Sequence, residues 1–104
     1  MNKLLPNWLI ACVCRALLGE IYPSIRAIAL GLSAEKILTI RYYLDRMPRE
    51  IDKESLEIVA INISASIGLD RISYIKIDSQ FTIALIRDLD YLDGFIYCRR
   101  EEKE

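Results

Sequence analysis

Five carboxylates have a spacing that suggests chemistry. Glu54 and Glu57 lie three residues apart, and Asp88, Asp90 and Asp93 crowd a short segment that also carries Tyr91. Paired carboxylates run general acid–base catalysis when their surroundings push their pKa values apart. Nothing around either group suggests a pocket that would do so, and solvated surface is the competing reading. Glu54 and Glu57 have a structural reason to exist, because acids near the start of a helix are favoured by its dipole. The segment Asp88-Leu89-Asp90-Tyr91-Leu92-Asp93 has a second functional reading. Short acids around an aromatic anchor suit the capture of a basic protein, where charge speeds encounter and a buried tyrosine supplies affinity. The alternative is a polar turn with Tyr91 packed inward.

The rest of the catalytic inventory is thin. The chain has no histidine, the commonest general base near neutral pH and the commonest transition-metal ligand. A cysteine nucleophile therefore lacks its usual base. Cys12, Cys14 and Cys98 are an odd set that does not form a disulfide framework, which fits a reducing compartment. Cys12 and Cys14 read as core filling on a buried helix. The glycines, Gly19, Gly31, Gly68 and Gly94, are scattered singly, so there is no phosphate-cradling loop. No enzyme activity, cofactor, metal or small-molecule substrate is expected. With 14 basic and 15 acidic residues the net charge is -1, which argues against a general nucleic-acid binder.

The 104 residues are expected to form one domain spanning 1–104, and 53% apolar residues are enough for an unstapled core. Leu9-Ile10-Ala11-Cys12 matches the box before a lipidated bacterial cysteine. The apolar stretch ahead of it, Leu4 and Leu5, is too short for a signal, so no lipid anchor is expected. No segment has the run of apolar residues that a membrane span needs. A cytoplasmic location follows as the expectation.

Asn7 is expected to cap a first helix running toward Gly19, apolar on most sides and therefore buried. Tyr22-Pro23 breaks it. Ser24 to Leu32 and Ile37 to Leu44 read as a hairpin, with Leu38, Ile40, Tyr42 and Leu44 on the core face. Tyr42 and Tyr43 place one ring on each face of the sheet. Asp52 is expected to cap a second helix, with Ile51 and Leu56 as a hydrophobic staple and Leu56, Val59, Ala60, Ile63 and Ile67 as its apolar stripe, stopping at Gly68. Arg71 to Asp78 and Gly94 to Arg100 read as the last two strands, and Glu101 to Glu104 as a solvated tail. The stretch Ser79 to Asp93 is undecided between strand and short helix before its acidic loop. The order α-β-β-α-β-β predicts an α+β fold with both helices on one face of a mostly antiparallel four-stranded sheet, leaving the other face open.

Four segments carry a resemblance. The first is Arg15-Ala16-Leu17-Leu18-Gly19-Glu20-Ile21-Tyr22-Pro23-Ser24-Ile25-Arg26-Ala27-Ile28, followed by Tyr42-Tyr43-Leu44-Asp45, Asp52-Lys53-Glu54 and Tyr97-Cys98-Arg99-Arg100-Glu101. Together they resemble a family of small bacterial proteins found beside polymorphic toxins, including the immunity proteins of contact-dependent growth inhibition. The Gly-Glu-Ile-x-Pro turn and the Tyr-x-Arg-Arg-Glu ending are the most telling. The chain departs from the family pattern at Asn62-Ile63-Ser64-Ala65-Ser66, where a Thr-Glu pair and an acid are often found, so interface residues of the second helix do not carry over. The resemblance implies one-to-one binding of a toxin's C-terminal domain, with no direct contact to nucleic acid or membrane. Many such toxins are nucleases with basic surfaces, against which an acidic patch competes. The residues expected to meet the toxin are Asp88, Asp90, Tyr91 and Asp93, with Glu54 and Glu57 behind them. The alternative is a non-enzymatic scaffold or homo-oligomer built through an open sheet face or edge strand.

Overall fold

The computed structural model describes residues 5–68 and 70–101. Two helices, four strands and one 3-10 turn follow in the expected order: α1 (Asn7–Ala16), β1 (Ile25–Leu32), β2 (Ile37–Leu44), α2 (Glu50–Ser66), β3 (Tyr74–Phe81), the turn (Ile86–Asp88) and β4 (Gly94–Cys98). The sheet runs β3-β2-β1-β4. β1 is antiparallel to β2 and to β4, but β3 lies parallel to β2. The sheet is mostly antiparallel, as expected from the sequence, and one parallel pairing makes it mixed. The reason is the length of α2. Seventeen helical residues span about 25 Å, close to the length of an eight-residue strand, so the crossover returns the chain to the end where β2 began. β3 then has to run the same way as β2.

Both helices cover one face. Leu38, Ile40, Tyr42 and Leu44 are fully buried there, as their alternation predicts, with Leu9, Val13, Leu56, Val59 and Ile63 packed onto them. α1 is half-amphipathic: Leu9, Cys12, Val13 and Ala16 are buried, whereas Ala11 and Cys14 are exposed. Cys12 fills the core as expected and Cys14 does not, because residues two apart on a helix point in different directions. Burial raises the Cys12 thiol pKa, against the opposing pull of Arg15, so it stays a thiol.

The expected caps shift. Pro6 occupies the N-cap of α1 without a side-chain bond, and Asn7 is its first helical residue. Arg49 is the N-cap of α2, and Asp52 sits one turn inside, where its carboxylate accepts the Arg49 backbone N–H at 2.7 Å. Ile51 is exposed while Leu56 is buried, so the two do not form a staple. β3 begins and ends three residues later than expected, and β4 stops at Cys98. Glu101 is tied to the body of the protein, and the remainder of the expected tail, 102–104, lies outside the described residues.

The second face of the sheet is not open. The segment after β3 folds back over it. Ala27, Ala29 and Tyr43 are buried there beneath Leu89, Leu92 and Phe95. Alanines at 27 and 29 keep the sheet surface low enough for this close approach. A β-carbon on Gly31 would meet that of Leu92 at 3.3 Å, so a larger residue would push the segment away. Tyr43 is 3% exposed and donates its hydroxyl hydrogen bond to the Asp90 carbonyl. It is not available as a contact on a free face.

Candidate functional site

The acids between residues 88 and 93 divide in two. Asp93 is partly buried and turned inward; its carboxylate accepts the Leu32 backbone N–H at 2.7 Å, and its own N–H donates to the Leu30 carbonyl at 2.8 Å. Its role is to pin the segment to the edge of β1. Asp88 and Asp90 are exposed. Asp90 accepts the Leu92 N–H at 2.9 Å and lies 3.8 Å from the Arg41 guanidinium, which is also bound by Asp78 at 2.7 Å. Leu92 has a positive φ of 57°, a conformation that costs a branched residue energy and that these contacts hold in place.

Tyr91 is 43% exposed. Its ring meets Phe95 edge-on with centroids 6.1 Å apart, and Phe95 in turn meets the buried Tyr43 at 6.4 Å. An aromatic series thus runs from the covered face of the sheet to the surface and ends in a ring that directly follows Asp90 in the chain. The alternative of Tyr91 packed inward does not hold. A shallow depression of about 510 Å³ lies beside the loop, lined in part by Glu35, Thr39, Lys76, Asp90 and Asp93. Glu54 and Glu57 are exposed on α2, across the sheet from this loop. The structure therefore leaves Asp88, Asp90 and Tyr91 exposed on one short segment, with no contact between their side chains, and places the two glutamates on the other face. Among the described residues, no three histidine, cysteine, aspartate or glutamate side chains are placed to hold a metal ion.

The segments that carry the family resemblance have a different place. They meet at the end of the sheet where β2 finishes. A bulge in β1 at Arg26 turns that side chain, like Ala27, to the face away from the helices. There Arg26 grips Glu101 through Nε and Nη2, both at 2.8 Å, and donates to the Thr82 carbonyl at 3.0 Å. Arg99 joins Glu101, Asp45 and the Pro23 carbonyl. On the helix side, Asp52 is fully buried and receives Arg46 through two nitrogens, the Tyr22 hydroxyl and the Arg49 N–H. Ser55 links Tyr42 to Glu20. Burial opposes ionisation of Asp52, but Arg46, Tyr22 and the Arg49 amide outweigh it and hold its pKa at about 2. The Arg26 hydrogen bonds, with Arg99 beside them, outweigh burial and hold Glu101 at about 2 as well. Burial and the bond donated to Asp52 raise the Tyr22 pKa far above its usual value. Among the described residues, no buried side-chain polar atom lacks a partner.

Sequence reasoning missed a third feature, an apolar groove between α2 and β3. Its deeper part, about 650 Å³, is lined by Ile61, Ile63, Ile67, Ile72 and Ile75 among others. Ile61 and Tyr74 on its rim are 67% and 62% exposed. The signal was present: Ile58 and Ile61 fall off the apolar stripe of the helix, where polar residues are the norm.

Among the described residues, no helix is long and apolar enough to cross a membrane. A search of curated proteins found no match. A family model described as MafI2 immunity protein matches residues 6–101. The resemblance to immunity proteins of polymorphic toxin systems is therefore right in class, but the match is to the Maf type and not specifically to contact-dependent growth inhibition. The match spans all four resembling segments, and the chain belongs to the MafI2 immunity protein family, a family of toxin-neutralising proteins.

Proposed function

We propose that this protein binds the C-terminal toxin domain of a polymorphic toxin one-to-one, in the cytoplasm, through the surface built on Asp88, Asp90 and Tyr91. We further propose that the toxin is a nuclease, delivered by contact-dependent growth inhibition or a related route. The observation that carries the reading is the held geometry of the loop. Asp93, Tyr43 and the Leu92 turn fix its backbone, so an exposed ring and the exposed acids Asp88 and Asp90 are presented with little ordering left to do on binding. A nuclease must expose a basic surface to its phosphate substrate, and this acidic, aromatic platform complements such a surface. Inhibition is then competition for the phosphate-binding face, and no chemistry by the inhibitor is required.

The test is coexpression with the C-terminal domain of the toxin encoded beside it, with only that domain tagged. Copurification and growth only when both are made support the reading. Asp88→Lys combined with Asp90→Lys should then abolish protection while the variant remains folded. Protection that persists at full strength in this double variant would move the interface elsewhere, and rescue of growth without association would overturn neutralisation by binding.

A further inference from the structure

β3 is an edge strand, paired on one side only. Ser33 N–H donates to the Ile37 carbonyl and Asp45 N–H to that of Ser24, so the odd-numbered backbone groups of β2 serve β1. The even-numbered ones serve β3, as the Leu44 carbonyl accepting Thr82 N–H shows. Carried along the parallel register, this turns the backbone groups of Tyr74, Lys76, Asp78 and Gln80 toward β2. Those of Ile75, Ile77 and Ser79 point away from the sheet, and among the described residues no strand lies on that side.

An antiparallel partner of the same sequence can meet these outward groups only if the twofold axis passes through a residue of β3. Other registers oppose an outward group with an inward one. An axis at Lys76 sets lysine against lysine, and one at Asp78 sets aspartate against aspartate; both are unfavourable. Axes at Ile75 or Ser79 shorten the ladder. An axis at Ile77 keeps Tyr74 to Gln80 paired and places Lys76 opposite Asp78 of the second copy, twice over by symmetry. These are non-hydrogen-bonded positions, where facing side chains come closest. Among the described residues Lys76 forms no ion pair, and Asp78, which binds Arg41 through Oδ2, retains acceptor capacity. On the helix side, Ile75 of the second copy would enter the depression lined by Lys53, Leu56, Ile77 and Ser79, and the exposed Ile61 would lie along the new interface.

We propose that the protein forms a twofold dimer by antiparallel pairing of β3 with β3 about Ile77, making one continuous eight-stranded sheet. The interface is isologous, as a closed dimer requires, and its charged pairs border the Asp90 side of the acidic loop, since Lys76 lines the same depression as Asp90 and Asp78 shares Arg41 with it. The proposal does not depend on toxin neutralisation, and its test contains no toxin.

Sedimentation equilibrium of the full chain should give twice the monomer mass of 12.0 kDa, dissociating on dilution. Amide exchange at Ile77 should slow as protein concentration rises, while that at the central Ile28 should not change. Lys76→Glu replaces two attractive pairs by two repulsive ones and should weaken the dimer about tenfold or more. Ser79→Pro removes an outward donor without touching the ladder to β2, and should also give monomer. A wild-type mass of 12.0 kDa up to millimolar concentration would overturn the proposal. So would a dimer that survives both substitutions, or Ile77 exchange that is the same at every protein concentration.

Discussion

The two ends of the sheet handle polar groups in opposite ways. At the end where β2 finishes, Arg26, Arg46 and Arg99 are locked onto Glu101, Asp52 and Asp45, and the burial of Asp52 is compensated by four donated hydrogen bonds. At the end where β3 begins, Ile61 and Tyr74 stand exposed at the rim of an apolar groove, and the outer edge of the strand has no neighbouring strand among the described residues. The first end is complete in itself; the second is not. All four segments that resemble the immunity family contribute to the complete end, through Glu20, Tyr22, Arg26, Tyr42, Asp45, Asp52, Arg99 and Glu101. The motifs by which this chain is recognised hold the scaffold together, while Asp88, Asp90, Tyr91 and the β3 edge lie outside them.

The strongest way to break this contrast is Asp52→Ala. It strands Arg46, leaves the Tyr22 hydroxyl without its acceptor and frees the N-terminal turn of α2, so it should cost about 3–5 kcal/mol by denaturant unfolding. A loss below about 1 kcal/mol would show that the clasp is ornamental. Acid should act on the same end. Asp52 and Glu101 have ordinary values of 3.8 and 4.5 and folded values of about 2. A depressed carboxylate stabilises the folded state above its unfolded pKa, and this is lost as pH falls through the folded value. Unfolding titrations should therefore show stability draining between about pH 4.5 and 2. The loss should be about 2–3 kcal/mol in total once solvent screening is allowed for, and Asp52→Ala should remove part of that slope.

A smaller effect sharpens the division within the acidic loop. Asp93→Ala should cost about 1–2 kcal/mol, because the Leu32 N–H loses its acceptor. Asp88→Ala, at an exposed site, should stay within about 0.5 kcal/mol of wild type. Thermal melts of the pair separate the structural acid from the one left free for a partner. Ile61→Ser at the groove rim should likewise change monomer stability by no more than about 0.5 kcal/mol. A larger loss in a strictly monomeric background would make the groove part of the core.

Element order and the helix-facing core are legible in the sequence, because both rest on local periodicity. The alternation of Leu38, Ile40, Tyr42 and Leu44 against Thr39 and Arg41 has one solution on a half-covered sheet, and β2 forms over the residues expected. Helix starts are less legible. Asp52 resembles a cap, yet its role as a third-position acceptor depends on Arg46 and Tyr22, which approach from other parts of the fold. The acidic loop is legible as a group but not in its parts. Asp88, Asp90 and Asp93 have the same chemistry in sequence, and only the nearness of the Leu32 N–H makes Asp93 structural.

The sequence by itself determined the α+β order, the face of the sheet that takes the helices, the want of histidine chemistry and the segments that mark the immunity family. These depend on residue type and short-range spacing, which survive any packing. Tertiary structure alone decided that β3 runs parallel to β2, that residues 82–93 cover the second face, and that distant arginines and carboxylates close one end of the sheet. Each of those outcomes joins residues far apart in the chain, where strand direction, crossover length and the space left by Ala27, Ala29 and Gly31 select the partners.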